Sequence, residues 1–442
     1  MSNIKIKLFA IAKDEAAYIP QWVFHHFYFG FDEIEIWLNN ITDNSVEVCE
    51  LLSQKYENFS YKIVDDLLED CIKNKEHFQR VSYNLMLKKE LNREVFTHIL
   101  FLDLDEYWTP KDFQSTIKHL ISKFLSADTI SLNWYIDNGD YSRESFSDVF
   151  GQKQYIVKNP HFKSILRLSS SVIKADIHNH YIDGGTQIDV YGKQIDISVN
   201  TSFGAYSLFQ NNDIIDDFFI FHRIFKSELE YVSSLLRSRR HTAANMYALK
   251  DNRWGYIIYK DTLLFSIDID LIKKYRGYLY KYHEIPDLNH QIILAKKHIE
   301  NNFLKVVDII SCSDILTFEL KVLSGVKLKE ISDIIPDIRY CIDKINIHDL
   351  MLELVGWVIN LNSGKNYNIE FYDIKHQTIT NGKIEFIDRP DVVEIVDKSA
   401  PLNSGFRFLG CLENNIQNKN IKVTLLSFNK KTNMIRFGLE YK

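Results

Sequence analysis

The chain has 442 residues, 45% hydrophobic and 25% charged, with a formal net charge of −6. With 29 Phe and 24 Tyr against 16 Gly and 7 Pro, the composition excludes a disordered, collagenous or low-complexity protein. The mildly acidic balance argues against a dedicated nucleic-acid binder, and roughly 150 residues per domain predicts two or three domains.

Ile4 to Ala12 reads as a short apolar strand with lysines at its start. Glu15 to Tyr28 has helical spacing, with Ile19, Trp22, Val23 and Phe27 on one side and Pro20 tolerable only near the first turn. Gly30 ends it, and Glu33 to Leu38 alternates with period two. NNITDNS, residues 39–45, is a loop capping the next helix. A strand near Tyr61 to Val64 follows, then a helix from Glu76 to Leu91 and a strand from Thr97 to Leu102 that runs into Asp103-Leu104-Asp105-Glu106. This alternation predicts a parallel sheet covered by helices, with ligands bound beyond the carboxyl ends of its strands. Those ends are KDE, NNITDNS and DLDE.

Residues 131–240 are mixed and loop-rich, with Gly turns at Asn138-Gly139-Asp140 and Asp183-Gly184-Gly185, and 227–248 read as a helix. Residues 286–335 are helical. After Pro336, short alternating runs separated by Asn, Gly and Ser predict an antiparallel sandwich of about 100 residues. The predicted organisation is α/β: a Rossmann-like catalytic domain over 1–285, a helical linker over 286–340 and a β-sandwich accessory domain over 341–442. Cys49, Cys71, Cys312, Cys341 and Cys411 are dispersed without CxxC spacing and read as reduced thiols of a cytoplasmic protein. MSNIKIKLFAIAKDE lacks a signal-peptide core, and no apolar run approaches the ~20 residues that span a bilayer, so a soluble or peripheral protein is expected.

Asp103-x-Asp105 is the sharpest chemical signal. Should the strand run on through it, period two sets both carboxylates on one face, where they repel unless a cation or donors compensate. A divalent ion bridging them to substrate phosphates resolves this, and a capping cluster is the competing structural reading. Lys13-Asp14-Glu15, Asn39, Asn40 and Asp43 line the same edge, either as helix caps or as part of a nucleotide or sugar site.

KDEAAYIPQWVFHHFYFGFDEIEIWLNNITDNS followed by ILFLDLDEYW resembles bacterial glycosyltransferases related to glycosyltransferase family 92, among the family-2-like enzymes of GT-A fold. The matched pattern includes Trp22, His25 and His26 on the first helix and Asp103 to Tyr107. A downstream H-x-x-x-K-S element is matched by His222, Lys226 and Ser227, with Arg223 where the family often has Tyr. The similarity covers residues 4–240. It implies inverting transfer of a hexose, of galactose or glucose type, from a UDP-sugar to a hydroxyl of an oligosaccharide or lipid-linked acceptor, in lipopolysaccharide or capsule synthesis.

On that resemblance Mn²⁺ or Mg²⁺ is held by Asp105, with Asp103 on the ion or the ribose and His222 as third ligand unless it merely packs. Lys226 and Arg223 assist the diphosphate, while Lys13, Glu15, Asn40, Asp43, Arg80 and Asp103 are assigned to the nucleotide. An inverting transfer needs a carboxylate base. Asp137 and Asp140 are the leading choices, with Glu144 and Asp183 behind them. Trp134 and Tyr135 stack on the acceptor sugar or pack in the core. His178-x-His180 lines the acceptor pocket or is structural rather than a separate zinc site. Arg237, Arg239, Arg240 and His241 form a solvated helix face or a patch for an anionic inner-membrane leaflet. Gly356-Trp357 and Asp388-Arg389-Pro390-Asp391-Val392 resemble elements of β-domains in other polysaccharide glycosyltransferases, implying a sugar-binding or homodimerising role. The competing readings are a non-catalytic carbohydrate-binding scaffold and another sugar-nucleotide enzyme such as a nucleotidyltransferase, for which KDEAAY lacks the Gly-rich loop.

Overall fold

The computed structural model describes residues 4–169, 171–195, 214–237, 249–250, 253, 255–311, 320–332, 338–348, 351–360, 382–395, 402–411, 422–427 and 435–440. The chain divides into two units. The first comprises Met1–Tyr231, Arg239–Ala244 and Ile258–Asn301, the second Val232–Ser238, Asn245–Ile257 and Asn302–Lys442.

The first unit begins β1 (Ile6–Ala12), α1 (Ile19–Tyr28), β2 (Glu33–Leu38), α2 (Ser45–Lys55), β3 (Phe59–Ile63), α3 (Asp65–Asn74), α4 (Phe78–Arg93) and β4 (His98–Phe101). β5 (Glu106–Pro110), α5 (Ile117–Lys123), β6 (Thr129–Asp137), β7 (Lys153–Arg167), β8 (Val172–Lys174), β9 (Tyr181–Ile182), β10 (Gln187–Asp189) and β11 (Phe218–His222) follow. After these come α6 (Glu228–Ser234), β12 (Leu263–Ser266), α7 (Ile269–Leu279) and α8 (Leu288–Ser311), of which α6 from Val232 and α8 from Asn302 are counted with the second unit. The main sheet runs β3-β2-β1-β4-β7-β6-β11-β5, with β10 added to β6 and β12 to β7. Its first four strands are parallel. Beyond β4 the pairing is mixed, because β7 is antiparallel to both β4 and β6.

The apolar positions of β1, β2 and β4 are buried almost without exception, as expected of strands covered on both faces. Three departures from the sequence expectations matter. The chain after Ile63 folds as α3, a helix the polar text DDLLEDCIKN hid. β4 stops at Phe101, so Asp103 and Asp105 lie in a turn and no strand pleat aligns them. β7 is long although it contains Pro160, which sits in a bulge where the register jumps from Asn133↔Phe162 to Trp134↔Asn159. A bulge is one of the few places a strand accepts proline.

β5 is the last strand of the sheet order, and its backbone groups turned away from β11 are satisfied by α1. Trp22 Nε1 donates to Glu106 O at 2.8 Å, His25 Nε2 to Trp108 O at 2.9 Å, and Trp108 N to His26 Nε2 at 3.3 Å. The aromatic-and-histidine helix therefore covers an edge that would otherwise leave buried backbone polar groups unpaired. Elsewhere Lys7 on β1, fully buried, meets Glu33 and Glu35 of β2 and Glu90 of α4 at 2.8, 2.6 and 2.8 Å.

In the second unit, α9 (Lys329–Ser332) precedes β13 (Ile338–His348), β14 (Met351–Asn360), β15 (Gly382–Ile387), α10 (Pro390–Ile395), β16 (Gly405–Cys411), β17 (Lys422–Ser427) and β18 (Ile435–Glu440). Four strands form an antiparallel sheet, β13-β14-β16-β15, and β17 pairs with β18. The antiparallel character agrees with the sequence. Arg389, immediately before α10, binds Asp391 at 2.8 and 2.6 Å and also Asp343, the residue at the β13 bulge. Gly405 is required by close packing, since a Cβ there would lie 2.5 Å from Arg389 Cγ and 2.8 Å from Ile387 O. Of the basic cluster, Arg239, Arg240 and His241 lie outside the described residues, as does Cys312.

Candidate active site

The turn after β4 is closed by its own residues. Asp103 N donates to Glu106 Oε2 at 2.8 Å and Glu106 N to Asp103 O at 3.0 Å. Glu106 is fully buried, and Lys163 Nζ from β7 lies 3.1 Å from its Oε2 and 3.4 Å from Asp103 Oδ2. Gln79 of α4 donates to Asp103 Oδ1 at 3.1 Å. Burial pushes the Glu106 carboxyl well above its ordinary range, with Lys163 opposing. For Lys163, burial works to lower the pKa, but Asp103 and Glu106 outweigh it and raise it, so the ammonium stays charged. Sequence reasoning missed both Lys163 and Gln79. The one signal for Lys163 was a lysine inside the apolar run FKSIL.

β11 brings in the downstream element. It pairs antiparallel with β5, His222 opposite Glu106, and parallel with β6, His222 beside Ile136. Arg223 N donates to Asp105 O at 2.8 Å, tying the two segments together. As a result His222 Nε2 lies 3.5 Å from Asp105 Oδ2, with the side chains 7% and 20% exposed. His222 Nδ1 is buried without a hydrogen-bond partner.

His222 packs on Trp134 at 4.4 Å between centroids, and Trp134 in turn meets His161 at 5.0 Å and His178 at 5.4 Å. The β7 bulge delivers His161, whose Nδ1 bonds Asn159 Oδ1. Trp134, half-buried, is thus packed among imidazoles, whereas Tyr135 is completely buried and offers no ring face to an acceptor. His178 Nδ1 and His180 Nε2 each bond a backbone carbonyl, of Phe162 and Ser164 respectively, and burial lowers both to about 4. The pair is neutral and built into the packing of β7.

The loops after β1 and β2 are strapped to each other. Asp14 Oδ1 accepts from Thr42 N and Asp43 N, while Asp43 accepts from Ala16 N through Oδ2 and from Ser45 N and Oγ through Oδ1. Neither α1 nor α2 has a side-chain cap at its N-cap residue, so Asp14 and Asp43 tie the two loops together instead of capping the helices as the competing reading expected. Asn40 takes a positive φ of 46° and its N–H is held by Asp65. Lys13 is half-buried at the β1 end. Arg80 is turned to Asp176 at 2.8 Å.

Lys226 Nζ lies 3.6 Å from Glu15 Oε2 and 3.2 Å from the centre of the Tyr18 ring. Its φ of +51° is an uncommon backbone state for a lysine. Ser227 and Glu230 form a reciprocal cap: Ser227 Oγ donates to Glu230 Oε2 at 2.7 Å and Glu230 N to Ser227 Oγ at 3.3 Å. Tyr18 OH donates to Glu230 Oε1, so the downstream element is fastened to the KDE loop.

Asp137 is buried and held in a two-pronged pair by Arg143 at 2.6 and 3.0 Å. Burial raises its carboxyl, and the Arg143 and Arg223 guanidinium groups oppose that. Asp140 is exposed on the loop after β6 and accepts from Ser142 N and Oγ at 2.8 and 2.7 Å.

Two places deserve testing for a divalent ion. Glu33, Glu35 and Glu90 cluster closely enough to hold one, but Lys7 Nζ already sits among them and, with Lys89 on Glu35 and Arg93 on Glu33 and Glu90, balances their charge. At Asp105 and His222 a hard oxygen and the borderline Nε2 nitrogen of a buried imidazole face each other, a donor pair that suits Mn²⁺ better than Mg²⁺, which takes oxygen ligands. Asp103 is already taken up by two protein donors.

No family model matches the chain, and no curated protein matches it. Among solved structures it is similar to S. aureus TarS, at 11% identity over 98% of this chain and 77% of that one, with a TM-score of 0.25. It is also similar to S. aureus TarS 1-349 in complex with UDP, at 15% identity over 37% of this chain and 47% of the other, with a TM-score of 0.23. A third is the galactosyltransferase LgtC in complex with donor and acceptor sugar analogs, at 16% identity over 37% and 58%, with a TM-score of 0.21. TM-scores of this size leave the functional reading to the chain's own geometry.

Proposed function

We propose that the chain is a metal-dependent inverting glycosyltransferase that moves a hexose, of galactose or glucose type, from a UDP-sugar to an acceptor glycan hydroxyl. The observation that carries this is the meeting of Asp105 and His222, from separate segments, beyond the carboxyl end of a parallel strand and against the fixed Lys163–Glu106–Asp103 group. Strand ends of parallel sheets are where nucleotides bind. The catalytic domain is placed at 1–285, the helical linker at 286–340 and the accessory β-domain at 341–442, the last with a sugar-binding or dimerising role.

Asp105 and His222 hold the divalent ion, which when bound supplies Lewis-acid stabilisation of the departing diphosphate. Asp103 accepts from the nucleotide, with Glu15, Lys13 and Asn40 on the same edge. Lys226 adds positive charge where the diphosphate leaves, whereas the buried Arg223 guanidinium is taken up by Ser147 beside Asp137. Between the two carboxylates at the end of β6, Asp140 is assigned as the base, because Arg143 occupies both oxygens of Asp137 whereas Asp140 faces solvent. Synthesis of lipopolysaccharide or capsule at the cytoplasmic face of the inner membrane is the setting assigned. No helix among the described residues is long and apolar enough to cross a membrane.

The test is transfer from a panel of radiolabelled UDP-sugars to a glycan acceptor, with wild type against D105A. Metal-dependent transfer lost in the variant supports the assignment, and equal activity in both would remove it.

A further inference from the structure

Lys163 is 1% exposed, yet it lies directly against a turn whose Asp103 is 39% exposed. Its ammonium meets Asp103 Oδ2 and Glu106 Oε2, while Gln79 holds Asp103 Oδ1. Both oxygens of the Asp103 carboxylate therefore accept from the protein, which fixes its orientation. A carboxylate offers about four lone-pair sites. With one taken on each oxygen, the remaining two suit a pair of adjacent hydroxyls. A divalent ion on the same oxygens would instead meet the Lys163 ammonium, a fixed positive charge 3.4 Å away from one of them. Asp105, in the same turn, faces the His222 imidazole.

We propose that Lys163 is a positioning residue that commits Asp103 to the ribose hydroxyls of the donor nucleotide and leaves the divalent ion to Asp105 and His222. This rests on the glycosyltransferase reading above. The two carboxylates of the DxD turn are thereby given different ligands by a cation that belongs to neither the turn nor its strand. Gln79, from α4, completes the arrangement from the other oxygen.

The test pairs K163M with E106Q, so that removing the ammonium does not strand a buried carboxylate, and adds the single variant Q79A, which leaves the buried pair intact. UDP binding is measured by calorimetry at saturating Mn²⁺, Mn²⁺ binding by electron paramagnetic resonance without nucleotide, and folding by circular dichroism. The proposal expects a folded double variant whose UDP affinity falls about tenfold or more, as loss of a charge-assisted contact implies, while Mn²⁺ binds as tightly as before or more tightly. Q79A should weaken UDP in the same direction.

UDP affinity equal to wild type in the folded double variant overturns the proposal, as does a parallel loss of UDP and Mn²⁺. Should the double variant fail to fold, unchanged UDP affinity in Q79A overturns it. Failure of wild type to bind any nucleotide with any divalent ion would show that the glycosyltransferase reading itself is at fault, before any variant is made.

Discussion

His222 Nε2 and Asp105 Oδ2 lie 3.5 Å apart because β11 pairs antiparallel with β5, setting His222 across from Glu106 at the end of the DxD turn. The pairing is reinforced from the opposite edge of β5, where α1 bonds its outward backbone groups through Trp22, His25 and His26. Helix, edge strand and turn thus form one chain of supports leading to two side chains.

Those supports are sensitive to acid. His26 Nε2 accepts from Trp108 N and His25 Nδ1 accepts from Tyr275 OH, so each ring has a neutral tautomer fixed by its partners. Burial lowers His25 to about 3 and His26 well below the ordinary range, the latter also through His25. With folded pKa values below the unfolded one, the unfolded chain binds more protons, so stability is intact above about pH 6.5 and is lost as pH falls toward 3. For His25 alone the loss by pH 5 is about 2 kcal/mol. Urea melts of wild type and H25N at pH 7.5 and 5 check this. Wild type should lose more stability than H25N over that interval, and equal losses would show that the imidazole is not the source.

Lys7 contacts three carboxylates from two elements while fully buried. Removing one partner of a buried ionic group typically costs about 3–5 kcal/mol. K7M is therefore expected to unfold at markedly lower denaturant, with recovery in K7M/E90Q/E35Q, where two of the stranded charges are removed. A K7M chain as stable as wild type would mean that the group is silent in folding.

The two carboxylates after β6 should separate by readout. D140N is expected to lower turnover by about 10²–10⁴-fold, the usual weight of a general base, with UDP affinity retained. R143A should instead lower the melting temperature, since it leaves Asp137 buried without its two-pronged partner. Full turnover in D140N would remove it from the base position.

Much of the parallel half of the sheet was readable from periodicity, and Glu33–Leu38 forms the strand its alternation predicts. The carboxyl-end loops were readable from their Asp, Asn and Ser content, though composition does not distinguish a carboxylate that organises a loop, as Asp43 does, from one that meets a ligand. The DxD was legible as a motif, but the condition that the strand runs on through it is not met, since the N–H of Asp103 turns back to Glu106. Lys163 was invisible because its meaning depends on β7 lying between β4 and β6 across a bulged register. The Trp134 packing was hidden for the same reason: His161, His178 and His222 reach it from three separate places in the chain.

Nucleotide binding is expected to depend on a divalent ion held by Asp105 and His222. Calorimetric titration of UDP, GDP and CMP, each with Mn²⁺ and again with EDTA, tests it most directly in wild type, D105A and H222A. UDP should bind wild type with Mn²⁺, and that binding should disappear with EDTA and in both variants, whose folds are preserved. UDP binding that survives EDTA and both substitutions would contradict it.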